Sequence, residues 1–322
     1  MKHTYYLLFT FFLISNVILA DNLIIPTSSG ITNGFYKNRV ANWDDIPYAQ
    51  PPIEELRWRA PKEIVINNNL INSKINNFCV QKPSGMGGSE FDGDELFSGT
   101  EDCLYLDIKA PKSTSNSLLP VMFWIHGGGN TSGLKDTYDF SKMVRKHNVI
   151  VVTINYRLGP FGWFTHPSIQ NLQEGDDKTS NFGTLDIIAA LKWVQSNIEL
   201  FGGNPNNVTI FGESAGGHNV MSLIASSKSK GLFHKAISQS GYTTSISLED
   251  AYKQDSLTST SEHTSFKIVD KILSKKYKTL DQKSSSKKEI RTILKEINAR
   301  DFFINYSDRP SYQEIPLLTS DN

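Results

Sequence analysis

Two short stretches hold residues able to do chemistry together: "FGESAGG" at 211–217 and "HGGG" at 126–129. Ser214 has Gly212 and Gly216 two places to either side, the spacing of a strand-to-helix turn so tight that side chains at the flanking positions would collide. Such a turn exposes the hydroxyl at the carboxyl end of a sheet, where open α/β sheets take their ligands. A serine attacking an ester carbonyl builds negative charge on oxygen, so it needs N–H groups aimed at that oxygen. Gly128, Gly129 and Ala215 can offer them, because no side chain at the two glycines blocks the approach. Loss of one such donor typically costs about 2.7–4 kcal/mol in the transition state.

A serine hydroxyl is a poor nucleophile at its free pKa and needs a base to take its proton and an acid to orient that base. His218 lies one helical turn beyond Ser214, but the turn aims the hydroxyl away from that helix. His126 flanks the glycine loop, His234 precedes a strand, and His263 lies in a polar tract. None is placed to serve as base, and from these residues alone the triad acid and base are unknown.

The elements that must position these residues are legible as apolar runs. "LPVMFWIHGGG", "NVIVVTINYR", "NVTIFGES" and "KAISQSG" read as strands, the second so continuously apolar that it should be covered on both faces. "NFGTLDIIAALKWVQSNIELFGG" has helical spacing and stops at Gly202 and Gly203, and "AGGHNVMSLIASS" can form a helix directly after Ser214. Alternation of this kind calls for a mostly parallel sheet with helices on both faces and right-handed crossovers. Residues 252–289 turn rich in Ser, Thr and Lys and read as a solvated helical excursion or a flexible insert. "IRTILKEINARDFF" then recovers helical periodicity, and "IPLLT" at 315–319 looks like the start of another buried strand.

With 322 residues the chain can bury a large core, and 33 basic against 33 acidic side chains leave no net field to attract nucleic acid or anionic lipid. The first residues place Lys2 and His3 before an apolar run from Tyr5 to Leu19 and a small Ala20, which reads as a secretory signal over 1–20. The run is short of the roughly 20 apolar residues of a membrane span, and no later segment qualifies. Secretion would allow Cys79 and Cys103 to close a disulfide worth roughly 3 kcal/mol on loop entropy, the alternative being two unrelated buried thiols. Two cysteines without clustered histidines argue against a metal, and the chemistry requires no cofactor. Sequons stand at Asn130, Asn207 and Asn305.

Beyond these motifs, "IPYAQPPIEELRWRAP", "EDCLYLDI", "PVMFWIHGGG", "VVTINYRLGPFGWF", "NFGTLDIIAALKWVQSNIELFGGNPNNVTIFGESAGG" and "GLFHKAISQSG" follow one another from about Ile46 to Gly241. In these stretches the chain resembles the type-B carboxylesterase and cholinesterase family of α/β-hydrolases. The resemblance implies an α/β-hydrolase fold over 21–322, lacking its C-terminal strands and helices, and a secreted serine hydrolase acting on carboxylic esters. It implies Ser214 as nucleophile, Gly128, Gly129 and Ala215 as oxyanion donors, and Glu213 as a buried carboxylate giving electrostatic support. It further implies a Cys79–Cys103 disulfide and ion pairs Arg57–Glu101 and Arg157–Asp186. In the family the acid and histidine follow the nucleophile, and "EIPLLTSDN" resembles the strand that leads to the acid, so the resemblance implies that triad acid and base are absent from this chain. Asn130 departs from the aromatic or small apolar residue usual after the triple glycine. The competing expectations are a non-catalytic cholinesterase-like secreted interaction module and a truncated copy without function.

Overall fold

In the computed structural model the described residues are 23–65, 69–71, 77–85, 87, 96–112, 117–247, 249, 251, 265–276, 282, 284–306 and 319–320. The signal segment expected at 1–20 lies outside them. A hairpin of β1 (Ile24–Thr27) and β2 (Gly30–Asn33) leads into β3 (Phe35–Lys37), β4 (Val40–Pro47), β5 (Tyr105–Pro111) and β6 (Leu119–Ile125). Then come α1 (Ser141–His147), β7 (Ile150–Ile154), the short α2 (Gly159–Gly162) and α3 (Pro167–Gln170), and the long α4 (Phe182–Asn197). β8 (Gly203–Glu213) runs into α5 (Ala215–Ala225), followed by β9 (Lys235–Gln239) and β10 (Ile246–Ser247). The helices α6 (Ser265–Lys276), α7 (Lys287–Glu296) and α8 (Ala299–Tyr306) precede β11 (Thr319–Ser320).

The main sheet has the order β3-β4-β5-β7-β6-β8-β9. β7, β6, β8 and β9 pair in parallel, and β3, β4 and β5 join them through antiparallel ladders, so five of the seven strands share one direction. Every residue of β7 is buried, as its unbroken Ile-Val-Val-Thr-Ile run requires. Its alternating side chains separate the two faces. Ile150, Val152 and Ile154 join Ile187, Leu191 and Val194 of α4 and Val220 of α5 in the largest cluster, while Val151 joins Val144 of α1 in a smaller one. Helices thus cover both faces, as expected of the α/β-hydrolase fold.

α6, α7 and α8 build a second core around Trp58, whose ring stacks on Phe164 at 5.0 Å and whose Nε1 donates to the Pro160 carbonyl at 2.7 Å. α7 starts with a capping box, the Ser286 hydroxyl accepting the Glu289 N–H and the Glu289 carboxylate accepting that of Ser286. Within the polar 252–289 tract, α6 buries Ile268, Val269, Ile272 and Leu273 in this core, so that part is neither solvated nor a loose insert. The run read as one helical period, 290–303, breaks at Ile297, which leaves helical geometry at φ −66°, ψ 134°. The strand expected at 315–319 falls mainly outside the described residues; Thr319 and Ser320 pair with β10 apart from the main sheet.

Both implied ion pairs form and are buried. Arg57 grips Glu101 with Nε and Nη2 at 2.7 and 2.5 Å and donates Nη1 to the carbonyls of Leu294 and Ile297, tying the C-terminal end of α7 to the connection between β4 and β5. Arg157 grips Asp186 at 2.8 and 2.7 Å. Cys79 and Cys103 are bridged. Asn305 does not fit its sequon reading in this fold: it is buried in α8, its Nδ2 donating to the Asp301 carbonyl and its Oδ1 accepting from Lys275. Asn207 is half-buried in β8.

Candidate active site

β6 and β8 are parallel neighbours in a register that pairs Ile125 with Gly212. Their ends are therefore level, and the segments that leave them, His126–Gly129 and Glu213–Ala215, emerge side by side at the carboxyl edge of the sheet. The turn after β8 places Ser214 at φ 55°, ψ −120°, outside the regions comfortable for a residue with a Cβ, before α5 begins at Ala215. Its backbone is fixed on both sides, the N–H donating to the Gln239 carbonyl at 2.8 Å and the C=O accepting from His218 at 2.9 Å. The flanking glycines are obligatory for the reason expected. A Cβ on Gly212 would lie 2.6 Å from the Gly216 backbone and 2.7 Å from the Ile125 carbonyl, and one on Gly216 would collide with that same carbonyl.

The glycine loop bends through positive φ at Gly128 (101°), Gly129 (64°) and Asn130 (57°). A Cβ on Gly127 would lie 2.7 Å from the Glu213 carbonyl and 3.4 Å from Ser214 Cβ, so only glycine lets the loop sit this close to the turn. Among the described residues no protein acceptor takes the N–H of Gly128, Gly129 or Ala215. Ala215 opens α5, whose N-terminal N–H groups carry the positive end of the helix dipole. The segments carrying the three expected donors and Ser214 thus leave neighbouring strand ends at one corner of the sheet. Glu213 is half-buried, with Oε2 against Gly127, and is more open to solvent than the implied buried carboxylate.

No described histidine hydrogen-bonds the Ser214 hydroxyl. His126 is buried, stacked on Tyr156 at 4.3 Å, and donates Nδ1–H to the Gly127 carbonyl at 2.8 Å; burial lowers its pKa to about 4. His218 is buried against Tyr242, its pKa also lowered by burial, with Nδ1 unpartnered. His166 bonds Gln282, His234 accepts the Val208 N–H, and His147 ends α1 on the surface. His263 lies outside the described residues.

Three neighbours of the site escaped the sequence reading. Gln81, next to the bridged Cys79, accepts the Gly133 N–H at 2.9 Å and donates Nε2 to the Gly133 and Cys79 carbonyls at 3.1 Å each. The hydroxyl of Tyr156 donates to the His126 carbonyl at 2.6 Å, and burial pushes its pKa far up. Asn219 of α5 reaches Asn130 across the site. No local pattern signals any of the three, since the bonds that tie them to the site span 30 to 89 residues.

The profile of the carboxylesterase family matches residues 21–318. The para-nitrobenzyl esterase of Bacillus subtilis is 43% identical over 230 residues, 71% of this chain and 45% of that protein. Carboxylesterase 1D of Rattus norvegicus is 43% identical over 236 residues, 68% of this chain and 40% of that protein. A solved p-nitrobenzyl esterase superposes with a TM-score of 0.73 at 35% identity, covering 89% of this chain and 53% of its own. This chain therefore spans less than half the length of these curated relatives. A level pair of parallel strands carrying a glycine loop and a strained serine turn, together with similarity over most of its length, shows that the chain belongs to the carboxylesterase family.

Proposed function

We propose that the protein hydrolyses carboxylic esters, of short acyl groups in the first instance, through an acyl-enzyme on Ser214. The reading is carried by one observation: a serine in a strained turn packs against a glycine loop, and no acceptor among the described residues takes the N–H groups of Gly128, Gly129 or Ala215. Ser214 Oγ adds to the ester carbonyl and its proton passes to a base. The oxyanion is received by the N–H groups of Gly128, Gly129 and Ala215; collapse expels the alcohol, and water then releases the acid. Glu213, beside the loop, favours positive charge on a base approaching the serine.

With no described histidine bonded to Ser214, acylation by this chain is slow and near-stoichiometric. Loss of a triad member leaves only about 10³–10⁴ over water. The relatives' names support ester substrates, from para-nitrobenzyl esters to fumonisin B1, whose esterase from Sphingopyxis macrogoltabida is 39% identical over 221 residues. We also propose that residues 1–20 direct secretion, and that Asn207, half-buried where Asn130 and Asn305 are buried, is the best of the three sequons for a glycan.

The test is labelling of the secreted, purified protein with a fluorophosphonate, alongside p-nitrophenyl butyrate release, with Ser214→Ala as control. Label on Ser214 and one equivalent of p-nitrophenolate, both lost in Ser214→Ala, are expected. Release that survives the substitution overturns the assignment.

A further inference from the structure

Asn130 stands where the glycine loop turns back into the protein, at φ 57° and fully buried. Asparagine visits this left-handed region more readily than other residues with a Cβ, yet the conformation persists only when its surroundings enforce it. Three contacts do so. The Asn130 carbonyl accepts the Gly159 N–H at 2.7 Å. Its Oδ1 accepts Nδ2–H of Asn219 at 2.9 Å and lies 3.4 Å from the Tyr156 hydroxyl, whose shorter bond goes to the His126 carbonyl. Asn219 is also fully buried, on α5 five residues beyond Ser214. The Asn130–Asn219 bond therefore joins the two halves of the site directly, loop to nucleophile helix.

We propose that Asn219 is a positioning residue: through Asn130 it holds the Gly128–Gly129 N–H groups at the distance from Ser214 that the oxyanion needs, an inference resting on the hydrolase reading above. Within the loop the Gly128 carbonyl accepts the N–H groups and hydroxyls of Thr131 and Ser132, and the loop backbone packs on Gly216 of α5; the Asn219 bond adds a side-chain link from that helix. Gly128 and Gly129 have no side chains, and Asn130 Nδ2 and Asn219 Oδ1 are buried without partners, so this bond is the side-chain hydrogen bond that ties the end of the loop to α5. Oxyanion donors tolerate displacements of roughly 0.5 Å, and a misplacement of about 1 Å can cost on the order of 10²-fold in rate. A helix-borne tether also places loop and nucleophile in one rigid frame, so that movement of α5 carries both. Substrate affinity is not expected to respond.

The experiment compares the parent chain with Asn219→Ala, Asn130→Gly and the double variant. Two readouts are taken: amide hydrogen exchange over 126–130, and fluorophosphonate labelling of Ser214 across a probe concentration series. Exchange of the loop should rise about fivefold or more in either single variant, with β8 and α4 unchanged. The maximal labelling rate should fall about tenfold while the half-saturating probe concentration stays within twofold. The double variant should be no worse than the worse single one, because both remove the same bond. Unchanged exchange, a loss confined to affinity, or multiplicative losses in the double variant would overturn the tether. The near-isosteric Asn219→Leu replaces Asn219→Ala if the latter does not fold, and exchange decides the matter wherever labelling is slow. Labelling that persists in Ser214→Ala would instead remove the hydrolase reading and the inference with it; labelling lost there but intact in Asn219→Ala removes only the positioning role.

Discussion

Replacing Ser214 by glycine and by alanine separates the strain in the turn from the chemistry of the hydroxyl. At φ 55°, ψ −120° any residue with a Cβ is strained, by an amount of order 1–3 kcal/mol, and alanine keeps that strain while glycine releases it. Glycine in turn gives the unfolded chain more freedom, which costs about 0.4–1 kcal/mol relative to alanine. The difference leaves Ser214→Gly more stable than Ser214→Ala by about 1 kcal/mol, the reverse of the order at an ordinary position. For 322 residues at about 2.1 cal/mol/K each, that shifts Tm by only roughly 1.5 °C, so the urea midpoint at fixed m is the better measure. Both variants should lose fluorophosphonate labelling. An ordinary order, with Ser214→Gly less stable than Ser214→Ala by about 0.5–1 kcal/mol, would show that the turn stores no strain and that the geometry derived for Ser214 is wrong.

Lys135 sits buried between Asp45 at 3.0 Å and Asp107 at 2.9 Å, with Asp136 also at 2.9 Å, and these carboxylates drive its pKa up against desolvation. Lys135→Met strands two buried carboxylates and should cost about 3–5 kcal/mol by urea unfolding, with partial recovery in Lys135→Met/Asp107→Asn; a loss under about 1 kcal/mol would refute the network's role. His126 and His166 are both lowered to about 4 by burial. Between that value and the unfolded value near 6.5 the unfolded chain binds more protons. Stability should thus be full above pH 6.5 and fall as pH drops toward 4, and His166→Gln should remove up to about 1.4 kcal/mol per pH unit of that slope, read from urea midpoints at pH 4.5–6.

What was legible in the sequence was what local pattern encodes. Buried parallel strands are continuous apolar runs, so β6, β7 and β8 could be read directly, and the glycines around Ser214 declare a backbone conformation no other residue tolerates. β4 was not marked as a strand by its own pattern: Asn42 and Asp45 interrupt its apolar residues, and Asp45 is satisfied by a lysine 90 positions away. The Ser- and Lys-rich composition of 252–289 masked α6, whose four buried residues Ile268, Val269, Ile272 and Leu273 fall on one helical face while polar neighbours dilute any average. Asn130 was noticed for its departure from the family, but its partner could be found only once the fold brought α5 against the loop.

The sheet explains why these strained segments can exist together. Ser214, Gly128, Gly129 and Asn130 all occupy positive φ, conformations that isolated segments would abandon. Each lies within a few residues of a strand end held by the β6–β8 ladder, where Ile125 opposite Gly212 leaves no slack in register. The Gln239 carbonyl on β9 takes the Ser214 N–H, so the neighbouring parallel strand also fixes the turn. Yet β9 is the end strand of the sheet, every one of its residues is exposed, and Ile237 presents 46% of its surface. The turn is therefore braced on the β6 side by a buried strand and on the β9 side by an uncovered one.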